Sequence, residues 1–498
     1  MVDPIQAATH HVRSVDAPQR GRVPSYAEAN DVLRLWHEDP IETLTMLLLV
    51  AGLAWAPFWL GGDRRLPWGF NAVYFPALVL MQEAALFARG RPHPYAVKQI
   101  AVPAGLFLGV VIWTLAQISS YVPGTFAHPI WTMAGDALET TTSATISVNP
   151  GLTALALMRL LTDASVFWLA LQLSRNVERS AYLLRGIGLI VAAYAAYGLL
   201  LAALFGGAIP LFNAVDSGGF VRSTFVNRNS FATYAGLGLV VVIAVTLRLY
   251  RHVVPEAAGL GSYRLTKFLE ATGRRGAFWL GAGVVILVAL LGSVSRGGIL
   301  STALGVFALL ALSFGRRRRR RGEHIETIIF VTAAIVAVFL FFGDRIVGRI
   351  ASVGLEDASR MSVDTIVVHA IQDSPLLGFG YGAFADVFPL YRDQSISPFG
   401  VWDMAHNTYL EVFLGLGLIG GAALIGAVGW LAVKCLIGAV KRRSNATAPL
   451  VATSAALLVG AHALVDFSLQ IEAVALTFSA LLGIGVAQSE SSRLAASD

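Results

Sequence analysis

The feature that most constrains this chain is its succession of long apolar runs. They fall at about 43–60, 68–88, 99–119, 153–173, 182–205, 229–248, 277–294, 298–314, 325–342, 407–438, 449–465 and 470–487. A hydrocarbon core about 30 Å thick takes roughly 20 apolar residues of helix to cross. Inside it, backbone polar groups must be bonded within the structure itself. Runs of this length predict an all-α integral membrane protein of about twelve transmembrane helices. Strands of a membrane barrel alternate in shorter segments, and no such alternation is present. Composition agrees: 56% of the 498 residues are hydrophobic and only 14% are charged, whereas a soluble domain carries about 25% charge.

The net charge of +6 does not point to nucleic acid, because the basic residues sit in short loops between the apolar runs, as the positive-inside rule requires. Arg89, Arg91 and Lys98 lie in the loop 89–98, and Arg175, Arg179 and Arg185 in 174–185. Arg251, Arg264, Lys267, Arg274 and Arg275 lie in 249–276. The run Arg316 to Arg321 follows the eighth helix, and Lys441, Arg442 and Arg443 follow the tenth. If every run spans, these loops share one side, which is then cytoplasmic. Both termini fall there too: a tail over 1–40, the membrane domain over 41–488, and a tail over 489–498. The N-terminus lacks an apolar core followed by a small-residue cleavage site, so it reads as a tail and not as a signal peptide. The single cysteine, Cys435, excludes an intramolecular disulfide. Arg64 and Arg65 depart from the charge rule in a short outer loop.

The segment 120–152 has no Lys or Arg and falls outside. The remaining outer segments are 206–228, the tight turn 293–298, and 343–405, a large loop between helices 9 and 10. Met361 to Ile371 has the spacing of an amphipathic helix lying on the membrane surface. Gly378, Gly380 and Gly382 then read as a flexible turn, punctuated further on by Pro389 and Pro398. These glycines lack the strand, helix and lysine of a nucleotide loop, so no cofactor is expected.

Ionisable groups at membrane boundaries are costly and mark candidate function. On the outer side Arg222 precedes Asn227, Arg228 and Asn229, and Arg296 sits in the turn SVSRGGILS. His406 and Asn407 open the tenth helix, with Tyr409 one turn later and Glu411 beyond. His462 and Asp466, four apart near the outer end of the eleventh helix, share a face. Each has a bland alternative. An arginine at a helix end snorkels to lipid phosphate. A histidine at a helix start caps it, and His462 with Asp466 forms a structural hydrogen bond. Arg296 resists that reading, since the glycines beside it imply close helix approach. The Arg316 to Arg321 run is a topology determinant.

Together these residues suit one chemistry. Arginines are bidentate donors to phosphate oxygens, and an imidazole titrating near neutrality accepts a proton from a hydroxyl. The substrate expected is a membrane-held phosphate or pyrophosphate. No acidic cluster with metal-ligand spacing appears on the outer side, so no metal is expected and arginine would balance the leaving group.

At these residues the chain resembles the O-antigen ligase and O-antigen polymerase superfamily of bacterial cell-envelope enzymes, over roughly 150–490. The marks are Arg222 ahead of Phe225, Asn227, Asn229, Phe231 and Ala232; the S-R-G-G turn Ser295 to Gly298; P-L-L-G-x-G-x-G-x-F from Pro375 to Phe384; and the pair His406–Asn407. The resemblance implies a GT-C-like, metal-independent, inverting glycosyltransferase in the bacterial inner membrane, its active site facing the periplasm. It moves a glycan from an undecaprenyl-pyrophosphate carrier to an acceptor hydroxyl, on a glycan or on lipid A–core. By matching position His406 takes the base role, and Arg222 and Arg296 contact the pyrophosphate. Arg228, Asn407, Tyr409 and Glu411 are supporting candidates. Arg228 stands where the family often has proline. Within the superfamily the motifs do not separate ligase from polymerase. A lipid-linked oligosaccharide flippase or other transporter is the alternative from another class. It would favour internal repeats and midplane charges, and neither is evident here. A structural membrane scaffold is a third reading, which leaves the outer arginines without a purpose.

Overall fold

A computed structural model of the chain describes residues 30–210, 219–253, 273–318, 354–396, 402–442 and 444–490. The helices are α1 (Asn30–Glu38), α2 (Pro40–Trp55), α3 (Arg65–Ala88), α4 (Ala101–Ile118), α5 (Ile130–Leu138), α6 (Pro150–Leu173), α7 (Val177–Phe205) and α8 (Arg228–Val253). They continue with α9 (Arg274–Gly292), α10 (Arg296–Arg318), α11 (Gly354–Asp373), α12 (Phe384–Tyr391), α13 (Thr408–Lys441), α14 (Thr447–His462) and α15 (Glu472–Ala487). Among the described residues seven helices are long and apolar enough to cross a membrane, and four shorter apolar ones accompany them. Each predicted run outside 319–353 falls on one of these. The predicted helix 325–342, the end of the arginine run and most of the loop 249–276 lie outside the described residues, as does most of each tail.

The chain divides into two compact units, Met1–Leu44 and Thr45–Asp498. In the first, Asp39 caps the start of α2 by accepting from Glu42 N at 3.1 Å, with Pro40 at the first helical position. Thr43 Oγ1 donates back to Leu35 O and Asp39 O, each at 2.8 Å.

In the second unit local sequence sets the helix ends. Asn149, Asn176 and Asn407 each cap the helix that follows by accepting backbone N–H groups, the strongest class of N-cap. α8 is the central helix: 78% of its most apolar window is buried, against 22–44% for the other six long helices. It packs on α7, α9, α10 and α14, while α15 packs on α6 and α14.

α13 is broken at Gly417, whose backbone is left-handed (φ 72°, ψ 172°). A break inside a membrane helix frees carbonyl groups that must be bonded again. Leu414 O accepts from Phe379 N at 2.9 Å and Gly415 O from Gly380 N at 3.1 Å. Gly415 O also takes the Gln117 side-chain amide at 2.8 Å, and Leu416 O takes Trp113 Nε1 at 3.0 Å. The segment 375–384 thus docks on the broken helix through its backbone. A Cβ on Gly378 would stand 2.4 Å from Gly415 O, and one on Gly380 2.1 Å from Ser147 Oγ. The expected turn forms, and its glycines are held in close contacts, with backbone at Gly378 and with the Ser147 side chain at Gly380, that only glycine permits.

The surface helix expected at Met361 to Ile371 is also revised. α11 forms, but its apolar face (Val363, Ile366, Val367 and Ala370) is buried with Phe379, Phe384, Phe388 and Leu414. The chain's own residues cover the face that was expected to meet lipid.

Candidate functional site

The turn between α14 and α15 is the hub of the candidate site. His462 ends α14 and is buried, and its Nδ1 lies 3.0 Å from Thr233 Oγ1 on α8 and 3.2 Å from Ser468 Oγ. Asp466 is buried as well. Its Oδ1 accepts from Phe467 N at 2.8 Å and Ser468 Oγ at 3.3 Å, and its Oδ2 from Asn229 Nδ2 at 2.7 Å. The predicted shared face of His462 and Asp466 does not exist, because the helix stops at His462. The two groups meet through Ser468 instead, and three donors serve the carboxyl group.

The His406 turn docks on this hub. Thr408 N donates to Ala463 O and Thr408 Oγ1 to Asp466 O, both at 2.9 Å. The His406 ring packs edge-on between Trp402 and Phe467, with centroids 5.1 Å away on each side. His406 stands one residue before the cap: Asn407 Oδ1 accepts from Tyr409 N and Leu410 N at 3.2 Å, and α13 starts at Thr408. Two further supporting candidates, Tyr409 and Glu411, make contacts at this turn. Tyr409 Oη donates to Gly460 O at 2.9 Å. Glu411 is buried and accepts from Ala405 N at 2.8 Å, bracing the peptide next to His406.

The Arg296 turn meets the same hub through the glycines that follow the arginine. Arg296 begins α10, and the glycines after it allow the close approach expected of them. A Cβ on Gly297 would stand 3.3 Å from His462 Nε2, and one on Gly298 2.4 Å from Ala232 Cβ. The Arg222 segment backs onto the turn before Arg296 through Val221 N to Gly292 O at 3.0 Å. Arg222 itself donates to Val226 O at 3.2 Å. The Arg228 guanidinium lies 4.4 Å over the Phe220 ring.

Sequence reasoning missed two parts of this end of the bundle. The first is the α2–α3 turn. Gly61 (φ 74°) and Gly62 (φ 77°) bring its backbone against Phe225 and Glu472, and Thr224 Oγ1 donates to Pro57 O at 2.5 Å. Burial pushes the Asp63 carboxyl above its ordinary range, against the pull of Arg64 and Arg159, with Asp403 also near. The anomalous Arg64 and Arg65 are the exposed end of this turn. The second is Arg159 on α6. Its guanidinium lies 4.4 Å over the Trp68 ring and donates to Gln470 O. The hydropathy of α6 hides this residue. A lone arginine inside an apolar run was the available signal.

No curated protein matches the chain. The family model described as O-antigen ligase matches residues 281–425, a stretch that holds Arg296 and His406 but not Arg222. That match supports the O-antigen ligase and polymerase superfamily for this chain, and with it a membrane enzyme of glycosyltransferase type.

Proposed function

We propose that the chain transfers a glycan from an undecaprenyl-pyrophosphate carrier to an acceptor hydroxyl on the periplasmic face of the inner membrane, with inversion and without a metal ion. The acceptor is lipid A–core if the enzyme is a ligase and a second lipid-linked glycan if it is a polymerase. One observation carries the reading: Phe467 packs on the His406 ring, and His462, where the same turn begins, lies close to Gly297, the residue after Arg296.

In this mechanism His406 removes the acceptor proton, the oxygen attacks the anomeric carbon, and the carrier pyrophosphate departs. Arg296 and Arg222 balance the charge that grows on the leaving group. Such contacts accelerate the reaction because they strengthen in the transition state. A histidine held edge-on between two aromatic rings has a fixed plane, which a base needs if its nitrogen is to meet the hydroxyl.

The test is glycan transfer by purified protein, using lipid-linked glycan extracted from the producing cell and its membrane lipids as acceptor source, with chelator present. His406→Ala is expected to lower turnover by about 100-fold or more, the scale of a positioned base, with donor binding retained. His406→Gln keeps a hydrogen-bonding group but takes no proton, and should fail equally. Transfer by the Gln variant near the wild-type rate would remove the base assignment. Loss of wild-type transfer on adding chelator would remove the metal-free mechanism.

A further inference from the structure

The cavities, charged clusters and apolar faces outside the site leave one feature with a clear line to it, the arginine on α6. Arg159 sits in an apolar helix, a position where a guanidinium is expensive and needs a purpose. Its salient contacts run toward the candidate site. It donates to Gln470 O and stacks on Trp68 at 4.4 Å. The carboxyl groups of Asp163, Glu411 and Glu472 lie within its electrostatic reach. Glu472 is held separately by Asn71 Nδ2 at 2.6 Å.

Gln470 leads from this arginine to His406 by two routes. Its side chain interacts with the Glu411 carboxyl group, and Glu411 Oε2 accepts from the N–H of Ala405, the residue before His406, at 2.8 Å. Gln470 N also donates to Phe467 O at 2.8 Å, closing the turn whose Phe467 ring packs on the His406 ring at 5.1 Å. One guanidinium therefore pins the turn that braces both the backbone and the ring of His406.

The geometry points to Arg159 as a positioning residue for the transfer reaction, acting on His406 through the Phe467–Gln470 turn and Glu411. The inference rests on the proposed role of His406 as base. Arg159 touches neither substrate nor reacting atoms in this scheme. A base displaced by about 1 Å loses on the order of 100-fold in rate, while the donor contacts of Arg296 and Arg222 stay in place.

The experiment measures kcat and donor KM for Arg159→Met, Arg159→Lys, Glu411→Gln and the Arg159→Met/Glu411→Gln double variant, using the extracted lipid-linked glycan as donor and counting only folded protein. Arg159→Met is expected to lower kcat by about 10- to 100-fold and to leave KM within about twofold. Arg159→Lys, which keeps a cation and one donor for Gln470 O, should fall between Met and wild type. The double variant should lose little more than its worse parent, since residues on one route are not additive.

A raised KM at unchanged kcat would overturn the inference by making Arg159 a donor-binding residue. Additive losses, or wild-type kcat in Arg159→Met, would overturn it too. If the Met variant does not accumulate, Arg159→Lys and Glu411→Gln carry the same readings. His406→Ala is measured alongside. Full turnover in that variant removes the base reading itself, whereas an inactive His406→Ala beside a fully active Arg159→Met removes only the role given to Arg159.

Discussion

The Asn229 side-chain amide donates to Asp466 Oδ2 across 2.7 Å and so fastens the start of α8 to the turn after α14. Asp466 is buried, and a buried acceptor deprived of a donor costs about 1–3 kcal/mol. Asn229→Ala is therefore expected to lower the thermal unfolding midpoint in detergent. Asn229→Asp should lower it further, because it sets a second carboxyl group beside the first. An unchanged midpoint in both variants would show that this bond does not hold the turn.

Arg296 and Arg222 are expected to act through the forked guanidinium and not through charge alone. A charge-assisted hydrogen bond is worth roughly 1.5–3 kcal/mol, or about 10- to 100-fold in rate when made in the transition state. Either Arg→Ala change should lower turnover on that scale without lowering expression. Arg→Lys keeps the charge but loses the planar fork, so it should recover only part. Full transfer activity in Arg296→Ala would make it an anchor for α10.

The break in α13 is expected to be obligatory. Gly417 has φ +72°, and a Cβ there would stand 2.2 Å from Leu376 O. Gly417→Ala should abolish the monodisperse peak in size-exclusion chromatography. Gly429, in the same helix, has nothing within 4 Å of an added Cβ. Gly429→Ala should be accepted, with a small gain from helix propensity. If the two variants behave alike, the break is not what the fold depends on.

Orientation is open to a labelling experiment. Leu390, next to the end of α12, is 53% exposed, and the native Cys435 is fully buried. In a Cys435→Ala background, Leu390→Cys is expected to react with a membrane-impermeant thiol reagent in intact spheroplasts. Reaction only after lysis would reverse the orientation and move the proposed site to the cytoplasmic face.

The sequence by itself determined where helices form and which polar residues the membrane domain carries. Hydropathy over about 20 residues is a local property, and so are caps such as Asn149 and Asn407. The Gly297–Gly298 approach was also legible, since small residues beside Arg296 have few other uses. What the chain could not announce locally was decided by contacts between residues far apart in it. α13 reads as one apolar run, yet it breaks at Gly417 because Pro375–Phe384 supplies N–H donors to its freed carbonyls. His462 and Asp466 have helical spacing, but α14 ends at His462 and the two meet through Ser468. Arg159 looks like a stray charge until Trp68 and Gln470 meet it, from 91 residues before and 311 after. Apolar patterning sets how each segment folds. Which buried donors and acceptors meet depends on the packing, because in a low-dielectric interior each polar group must find its partner wherever the fold brings one.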